Sequence, residues 1–278
     1  MFQGRNLLIA TKHEKEKVIA PILEKELGVK CFVSSDLDTD KLGTFTGEVE
    51  RKYDPITTAR NKCLMAMELT DCDLAIASEG SFGSHPTIFF AHADDEFLLF
   101  FDKKNDIEIS ARELSLETNF NGSEIKTKKE LQEFACNSNF PSHALILRKS
   151  KDDLEDIVKG ITNEKQLNNT FDKLINNYGT AYIETDMRAM FNPSRMKVIE
   201  KATLKLVSKI KSLCPKCETP GFGIVDRKEG LPCYQCNFPT RSTLSFIYNC
   251  QKCNFKKEAE FPNGKQREDP MYCDICNP

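Results

Sequence analysis

Apolar runs and amphipathic stretches alternate along residues 1–211. Residues 7–10 form an apolar run typical of a buried strand, and residues 14–27 have helical spacing that stops at Gly28. The other predicted strands and helices, in chain order, are residues 29–33, 56–69, 74–77, 87–91, 97–102, 107–110, 131–136, 144–147, 167–175, 181–184 and 193–211. This alternation predicts an α/β domain with a mixed sheet over residues 1–211.

A different pattern begins near residue 212, where the cysteines become regular. Eight of the 12 cysteines follow residue 213, all of them in Cys-x-x-Cys pairs. Two such turns can direct four thiolates at one ion in a closed tetrahedron, which is the arrangement of structural zinc. The predicted ligands are Cys214, Cys217, Cys233, Cys236, Cys250, Cys253, Cys273 and Cys276. We therefore expect a double zinc-ribbon domain over residues 212–278, with two zinc ions.

The spacing of the pairs leaves their partnership open. Fifteen residues separate the first two pairs and 19 separate the last two, and both gaps fit zinc modules. Two consecutive ribbons are therefore favoured. The 13 residues between Cys236 and Cys250 leave an interleaved arrangement open. A redox dithiol segment is disfavoured, because four regular pairs exceed what redox chemistry needs.

Composition and charge narrow the class of protein. Hydrophobic residues make up 40% and charged residues 29%, which is typical of a folded globular chain. The 39 basic and 42 acidic residues give a net charge of −3, which argues against bulk binding of nucleic acid or anionic membrane. The zinc segment is nearly neutral, with nine basic and eight acidic residues. No long apolar run or signal peptide is evident, so we expect a soluble, cytoplasmic protein.

Functional residues of α/β folds gather where strands end and helices begin. Thr11 and Lys15 lie between the first predicted strand and its helix, where an anion meets free N–H groups. The structural alternative is a helix cap with solvated lysines. Glu79 and Ser81 lie in the Gly-containing segment 78–83, directly after a predicted buried strand. A carboxylate there suits a metal ligand or a general base, and an exposed Glu in a tight turn is the alternative.

Two further segments carry candidate charges. The polar loop 38–51 contains Glu48, and loops of this length are often binding loops. Arg188 and Arg195 lie close to the start of the last predicted helix, where they would form a phosphate clamp. The alternative for Arg188 is a structural ion pair with Asp186.

Four motifs together resemble the inosine/xanthosine triphosphatase (ITPase-like) superfamily. They are Thr-x-x-x-Lys at residues 11–15, Ala-Arg-Asn-Lys at 59–62, the segment 74–80, and Asn-Pro-Ser-Arg at 192–195. Their order and rough spacing hold over most of residues 1–210. Segments 43–51, 77–83 and 184–196 together are similar to a bacterial domain-of-unknown-function family with the same zinc tail.

The superfamily resemblance implies a cleft that binds a nucleoside triphosphate with Mg²⁺. Water would attack the α-phosphorus and release a nucleoside monophosphate and pyrophosphate. Carboxylates would bind the metal or activate the water, and basic side chains would contact the triphosphate. The implied acidic residues are Glu79 and a second carboxylate from Asp54, Glu48 or Glu50. The implied basic residues that would contact phosphate are Lys15, Lys62 and Arg195.

Two functions follow as hypotheses. The first is a Mg²⁺-dependent nucleoside triphosphate pyrophosphatase or related phosphohydrolase with a structural zinc tail. The alternative is a non-catalytic nucleotide sensor or adaptor, whose zinc domain docks a protein or nucleic-acid partner. The expected partners are a nucleotide-like small molecule and a protein on the zinc domain, with a homodimer as a further option. Nucleic acid is disfavoured and a membrane is not expected.

Overall fold

The first group of elements forms a mixed sheet in the computed structural model, which describes residues 1–34 and 53–278. Its strands lie in the order β2-β1-β3-β4-β5. Strand β1 runs parallel to β2 and β3, whereas β3 and β4 are antiparallel. The elements, in chain order, are β1 (Asn6–Ala10), α1 (Glu16–Leu27), β2 (Lys30–Phe32), α2 (Pro55–Thr70), β3 (Leu74–Ser84), β4 (His92–Asp102) and β5 (Ile107–Ser115).

Local signals explain both helices of this group. Helix α1 ends at Gly28, as predicted, because that glycine adopts a left-handed φ of 67° and its N–H bonds to the Glu24 carbonyl. Helix α2 begins after Asp54 and has a proline at its first position. The face of α2 that carries Ala59, Cys63, Ala66 and Met67 packs on the sheet residues Leu8, Ala10, Ala75, Ala77 and Leu99.

Strand β3 is longer than predicted, which changes the setting of its polar residues. It continues through Ser84 because β4 pairs with it along all 11 residues. Glu79 and Ser81 therefore lie inside a paired strand and do not follow it. The strand predicted at residues 87–91 is wrong. Those residues form the connection between β3 and β4, where the His85 ring accepts the N–H groups of Thr87 and Ile88.

A second, antiparallel sheet follows, with strand order β6-β9-β7-β8. Its elements are β6 (Gly122–Ile125), α3 (Lys128–Asn137), β7 (Leu145–Arg148), β8 (Ile157–Ile161), α4 (Glu164–Tyr178) and β9 (Ala181–Thr185). Leu131 and Phe134 of α3 and Leu167, Phe171 and Leu174 of α4 pack on this sheet. Burying each such side chain stabilises the fold by about 1.5–3 kcal/mol. The long helix α5 (Pro193–Lys211) comes next, as predicted.

A three-stranded antiparallel sheet, in the order β10-β11-β12, completes the chain. Its strands are β10 (Gly223–Glu229), β11 (Thr243–Asn249) and β12 (Lys256–Glu260). The chain divides into two compact units: residues 1–106 with 110–207, and residues 107–109 with 208–278. We call these the first and the second unit.

Candidate functional site

Lys15 directs its ammonium group onto strand β3. It immediately precedes α1 and makes no side-chain capping bond to that helix. Its side chain is buried, and Nζ donates to Ser78 Oγ at 2.9 Å. Burial and the nearby positive charge of Arg195 lower the pKa of the Lys15 ammonium to about 7. A lysine this far from solvent is poised to bind an anion or to exchange a proton.

Arg195 is a second buried cation, at the start of α5. Its backbone N–H bonds to Asn192 Oδ1 at 3.0 Å, which fixes the first turn of the helix. Its guanidinium Nε donates to Glu96 Oε1 at 2.6 Å, and Nη1 donates to the Met187 carbonyl. The same guanidinium stacks over the ring of Phe82, 5.0 Å from its centre. Both charged side chains of the pair with Glu96 are fully buried.

Strands β3 and β4 bring these groups to one face of the sheet. Gly80 lies opposite Glu96, and Phe82 lies opposite Asp94. Because side chains alternate along a strand, Asp94 and Glu96 share this face with Ser78. Burial and the adjacent Glu96 raise the pKa of the Asp94 carboxyl to about 8. We call Lys15, Ser78, Asp94, Glu96 and Arg195 the buried charged cluster.

Gly80 allows the cluster to close over the sheet. A Cβ atom at this position would lie 2.5 Å from both Arg195 Nη2 and Glu96 Oε1. We expect Gly80→Ala to lower the free energy of unfolding by about 1–3 kcal/mol, because the ion pair must shift. Gly83→Ala on the same strand is the matched control, since open space surrounds that position. Urea unfolding of both variants measures the difference, and equal midpoints would contradict this packing.

Glu79 and Lys62 form an ion pair outside the cluster. Glu79 is buried, and its Oε1 contacts Lys62 Nζ from helix α2. Glu79 alternates with Ser78 and Gly80, so it lies on the opposite face of β3, toward α2. The structure therefore pairs these two residues with each other on the other face of β3, and their charges still act on the Lys15 ammonium.

The remaining predicted residues lie elsewhere. Asp54 caps α2, where its carboxylate accepts the N–H groups of Ile56 and Thr57 at 2.9 and 3.1 Å. The hydrogen bond from the Thr57 hydroxyl, together with these backbone bonds, lowers the pKa of the exposed Asp54 carboxyl. Glu48 and Glu50 lie outside the described residues. Thr11 accepts a long bond, 3.4 Å, from the His13 N–H, and Ser81 lines a shallow cavity of about 140 Å³ between β3 and its neighbours.

Arg188 forms the structural ion pair with Asp186 that the sequence analysis gave as the alternative to a phosphate clamp. Its Nε and Nη2 donate to the Asp186 carboxylate at 3.0 and 2.6 Å, a two-pronged ion pair. Its guanidinium also lies over the Phe191 ring, 4.6 Å from the ring centre. Asp186 accepts the Gly160 N–H as well, at 3.0 Å. This pair ties the end of β9 to the chain near β8.

Asp94 and Glu96 are the cluster residues that sequence reasoning missed. They are the first and third residues of the acidic run Asp94-Asp95-Glu96, which directly precedes an apolar segment. Acids spaced by two residues in a strand lie on the same face, and they need partners there when that face is buried. That spacing is the signal that could have identified them.

The eight regular cysteines form two four-sulfur clusters in the second unit, each with all ligand atoms within 4.8 Å of one another. The first cluster is Cys214, Cys217, Cys250 and Cys253, and the second is Cys233, Cys236, Cys273 and Cys276. The pairs therefore interleave, and the favoured arrangement of two consecutive ribbons is wrong.

Strand direction explains the interleaving. Strand β10 has seven residues and lies between the first pair, Cys214/Cys217, and the second pair, Cys233/Cys236. Seven extended residues span roughly 20 Å, so these two pairs lie at opposite ends of the strand. Antiparallel β11 then returns the chain, so Asn249 lies opposite Gly223 and the third pair meets the first. The second and fourth pairs meet at the other end of the sheet. Spacing alone could not reveal this, because a gap of 15 residues can hold either a tight hairpin or a full strand.

Three of the four Cys-x-x-Cys turns share one backbone geometry. In each, the residue after the second cysteine has a left-handed φ of 55–58°, and its N–H bonds to the carbonyl of the first cysteine. These residues are Glu218, Asn237 and Asn254. Backbone N–H groups also point at the sulfurs of Cys214, Cys233 and Cys250, at 3.4–3.5 Å. Such donors stabilise thiolates.

The clusters can each hold a metal ion, and their dimensions fit zinc. Zn–S bonds of about 2.3 Å in a tetrahedron place neighbouring sulfurs about 3.8 Å apart. Two sulfur–sulfur distances between the pairs are 3.7 and 3.6 Å in the first cluster, and two are 3.9 and 3.6 Å in the second. Four thiolates form a soft and closed donor set, which favours zinc over Mg²⁺ or Ca²⁺.

The surroundings of the two clusters differ. Aromatic side chains cover the first, where Phe222 is buried and packs with Tyr248 and Phe255. Large apolar side chains next to the second are 44–71% exposed. We call them the apolar rim: Tyr234, Phe238, Met271, Tyr272 and Ile275.

Comparison with known proteins places the chain in a family. Residues 62–278 match a domain of unknown function, DUF6671, and the chain belongs to that family. No curated protein matches the sequence. Within residues 1–34 and 53–278, no helix has the length and apolar character needed to cross a membrane.

Proposed function

We propose that the first unit is a Mg²⁺-dependent phosphohydrolase acting on a nucleoside triphosphate. One observation carries the proposal: Lys15 and Arg195, from the starts of two different helices, meet two carboxylates on one buried sheet face. Buried cations stabilise the charge that develops on a transferring phosphoryl group. Carboxylates bind the accompanying metal ion. The resemblance to ITPase-like motifs supports the choice of a nucleotide.

The proposed reaction balances as a pyrophosphate release. A water oxygen bonds to the α-phosphorus while the bond from that phosphorus to the bridging oxygen breaks. Pyrophosphate leaves, and the water proton passes to a carboxylate of the cluster. Lys15 and Arg195 would bind phosphate oxygens in this step. Glu79, on the other face of β3 with Lys62, would support the sheet beneath the site.

Lys15→Met tests this function. We expect the variant to release pyrophosphate at least ~100-fold more slowly than the natural protein, because it lacks a donor to the developing charge. Lys17→Met is the matched control, since Lys17 is exposed and pairs with Glu14. The assay follows pyrophosphate from a panel of nucleoside triphosphates with Mg²⁺. No release from any nucleotide, or equal rates for Lys15→Met and the natural protein, would contradict the proposal.

We further propose that each four-cysteine cluster binds one structural Zn²⁺ ion. The closed set of four thiolates leaves no position for water, so these ions would hold the second unit together without chemistry of their own.

A non-catalytic adaptor is the second candidate function. The apolar rim favours it, because exposed Tyr, Phe and Met side chains are enriched at the centres of protein interfaces. Nearby basic side chains already pair with acids, as Arg241 does with Asp274 at 3.3 Å and Lys265 with Glu268 at 3.4 Å. This pairing favours a protein partner over nucleic acid. Under this function a nucleotide raises the melting temperature, and no product forms.

A further inference from the structure

The carboxylates of Asp94 and Glu96 have unused oxygen atoms. Both side chains are buried, with residue exposures of 1% and 0%. Within the part of the chain that the structure describes, neither oxygen of Asp94 nor Oε2 of Glu96 has a hydrogen-bond partner. Glu96 Oε1 is occupied by Arg195. Three carboxylate oxygens from one face of β4 are thus removed from water without a hydrogen-bond donor.

The free-energy cost of burying these oxygens has to be offset by another interaction. An unpaired carboxylate in a protein interior costs several kcal/mol, and two adjacent ones repel each other as well. Of the nearby cations, Lys15 Nζ donates to Ser78, and Arg195 donates through Nε to Glu96 and through Nη1 to Met187, so these bonds do not reach the three oxygens. A small cation with oxygen preference would satisfy all three unused oxygens at once. Mg²⁺ needs only one or two carboxylates and completes its octahedron with water or phosphate oxygens.

We propose that Asp94 and Glu96 form a binding site for one divalent cation of the Mg²⁺ type, with both Asp94 oxygens and Glu96 Oε2 facing the ion. Hard oxygen donors select Mg²⁺ or Mn²⁺ over zinc, so this site differs in kind from the cysteine clusters. The inference rests on the proposed function only for the ion's role beside phosphate. It moves the metal from Glu79, which the sequence favoured, to two residues on the opposite face of the sheet.

Manganese binding measures the site directly. The full-length protein, with zinc in its cysteine clusters, is titrated with Mn²⁺, and the electron paramagnetic resonance signal of free Mn²⁺ is followed. We expect the natural protein to bind one Mn²⁺ that Mg²⁺ displaces. Asp94→Asn, which keeps the shape and removes the charge, should weaken this binding at least ~10-fold.

Asp95→Asn is the matched control. Asp95 is the neighbouring acid on the opposite face of β4, where it pairs with Arg112 at 2.6 Å. We expect this variant to bind Mn²⁺ as the natural protein does. Circular dichroism melting without Mn²⁺ checks folding, and Asp94→Asn should melt no lower than the natural protein, because it removes a buried acid whose oxygens have no hydrogen-bond partner among the described residues.

The outcomes separate this inference from the proposed function. Equal Mn²⁺ binding by Asp94→Asn and the natural protein, or no binding by either, overturns the cation site. Mn²⁺ binding that depends on Asp94, without turnover of any nucleotide, supports the cation site and contradicts the hydrolase. Nucleotide turnover that is the same in Asp94→Asn and in the natural protein supports the hydrolase and contradicts the cation site.

Discussion

Cys217→Ala is expected to release one of the two proposed zinc ions and to expose Cys214, Cys250 and Cys253 to alkylation. Cys233, Cys236, Cys273 and Cys276 should stay protected, because they form the other cluster, which keeps all four of its sulfurs. Structural zinc contributes an apparent free energy of about 10–16 kcal/mol in small zinc-binding peptides, so one lost ligand has a large effect. Zinc content by elemental analysis and alkylation mapped by peptide mass spectrometry measure the result.

The reciprocal variant, Cys236→Ala, provides the control. It should expose the three remaining cysteines of the second cluster, among them Cys273, whose sulfur lies 3.6 Å from that of Cys236. Exposure of Cys233 and Cys236 in Cys217→Ala, with Cys250 and Cys253 protected, would contradict the interleaved pairing. If either variant loses both ions, the natural protein is treated with a chelator during alkylation. The four cysteines of one cluster should then become reactive together, and any other grouping would contradict the interleaved pairing.

Arg195→Met is expected to lower the free energy of unfolding of the first unit by about 3–5 kcal/mol. The substitution leaves Glu96 charged and fully buried, next to Asp94. It also removes the donor to the Met187 carbonyl and the cation over Phe82. Urea unfolding of the zinc-loaded protein, followed by circular dichroism, measures the loss.

Arg112→Met is the matched control for Arg195→Met. It breaks the exposed pair with Asp95, one position along β4 from Glu96, and should cost less than about 1 kcal/mol. Adding Glu96→Gln to Arg195→Met should restore part of the lost stability, because one buried charge is then removed. Similar losses for Arg195→Met and Arg112→Met would show that burial adds nothing to the Arg195 pair.

Local signals in the sequence predict much of the fold. The stop of α1 at Gly28 and the extent of α5 follow from helix-ending residues and apolar spacing. The full length of β3 does not, because Ser78 to Ser84 has the composition of a loop. That segment is a strand because β4 pairs with it and because its polar side chains meet partners from distant helices.

In the candidate site, too, the sequence predicts features that depend on neighbouring residues and misses those that depend on distant contacts. Lys15 and Arg195 were identified from their positions at helix starts, and the structure brings both to the buried charged cluster. Glu79 was identified from its position after a predicted strand, yet the alternation of β3 directs it to the other face. One residue of register decides which face a side chain occupies, and single-sequence patterns do not fix register. The prediction of consecutive cysteine pairs is wrong for a related reason, because the direction of β10 and β11 decides which pairs meet.

The interleaved clusters also determine when metal can bind during synthesis. A growing chain emerges from its N-terminus, so consecutive ribbons would complete a first metal site once Cys236 had emerged. With the observed pairing, five of the eight regular cysteines emerge before Cys253 completes the first set of ligands. Strands β10 and β11 both lie between Cys217 and Cys250, so the whole β10–β11 hairpin has emerged before the first proposed ion can be fully coordinated.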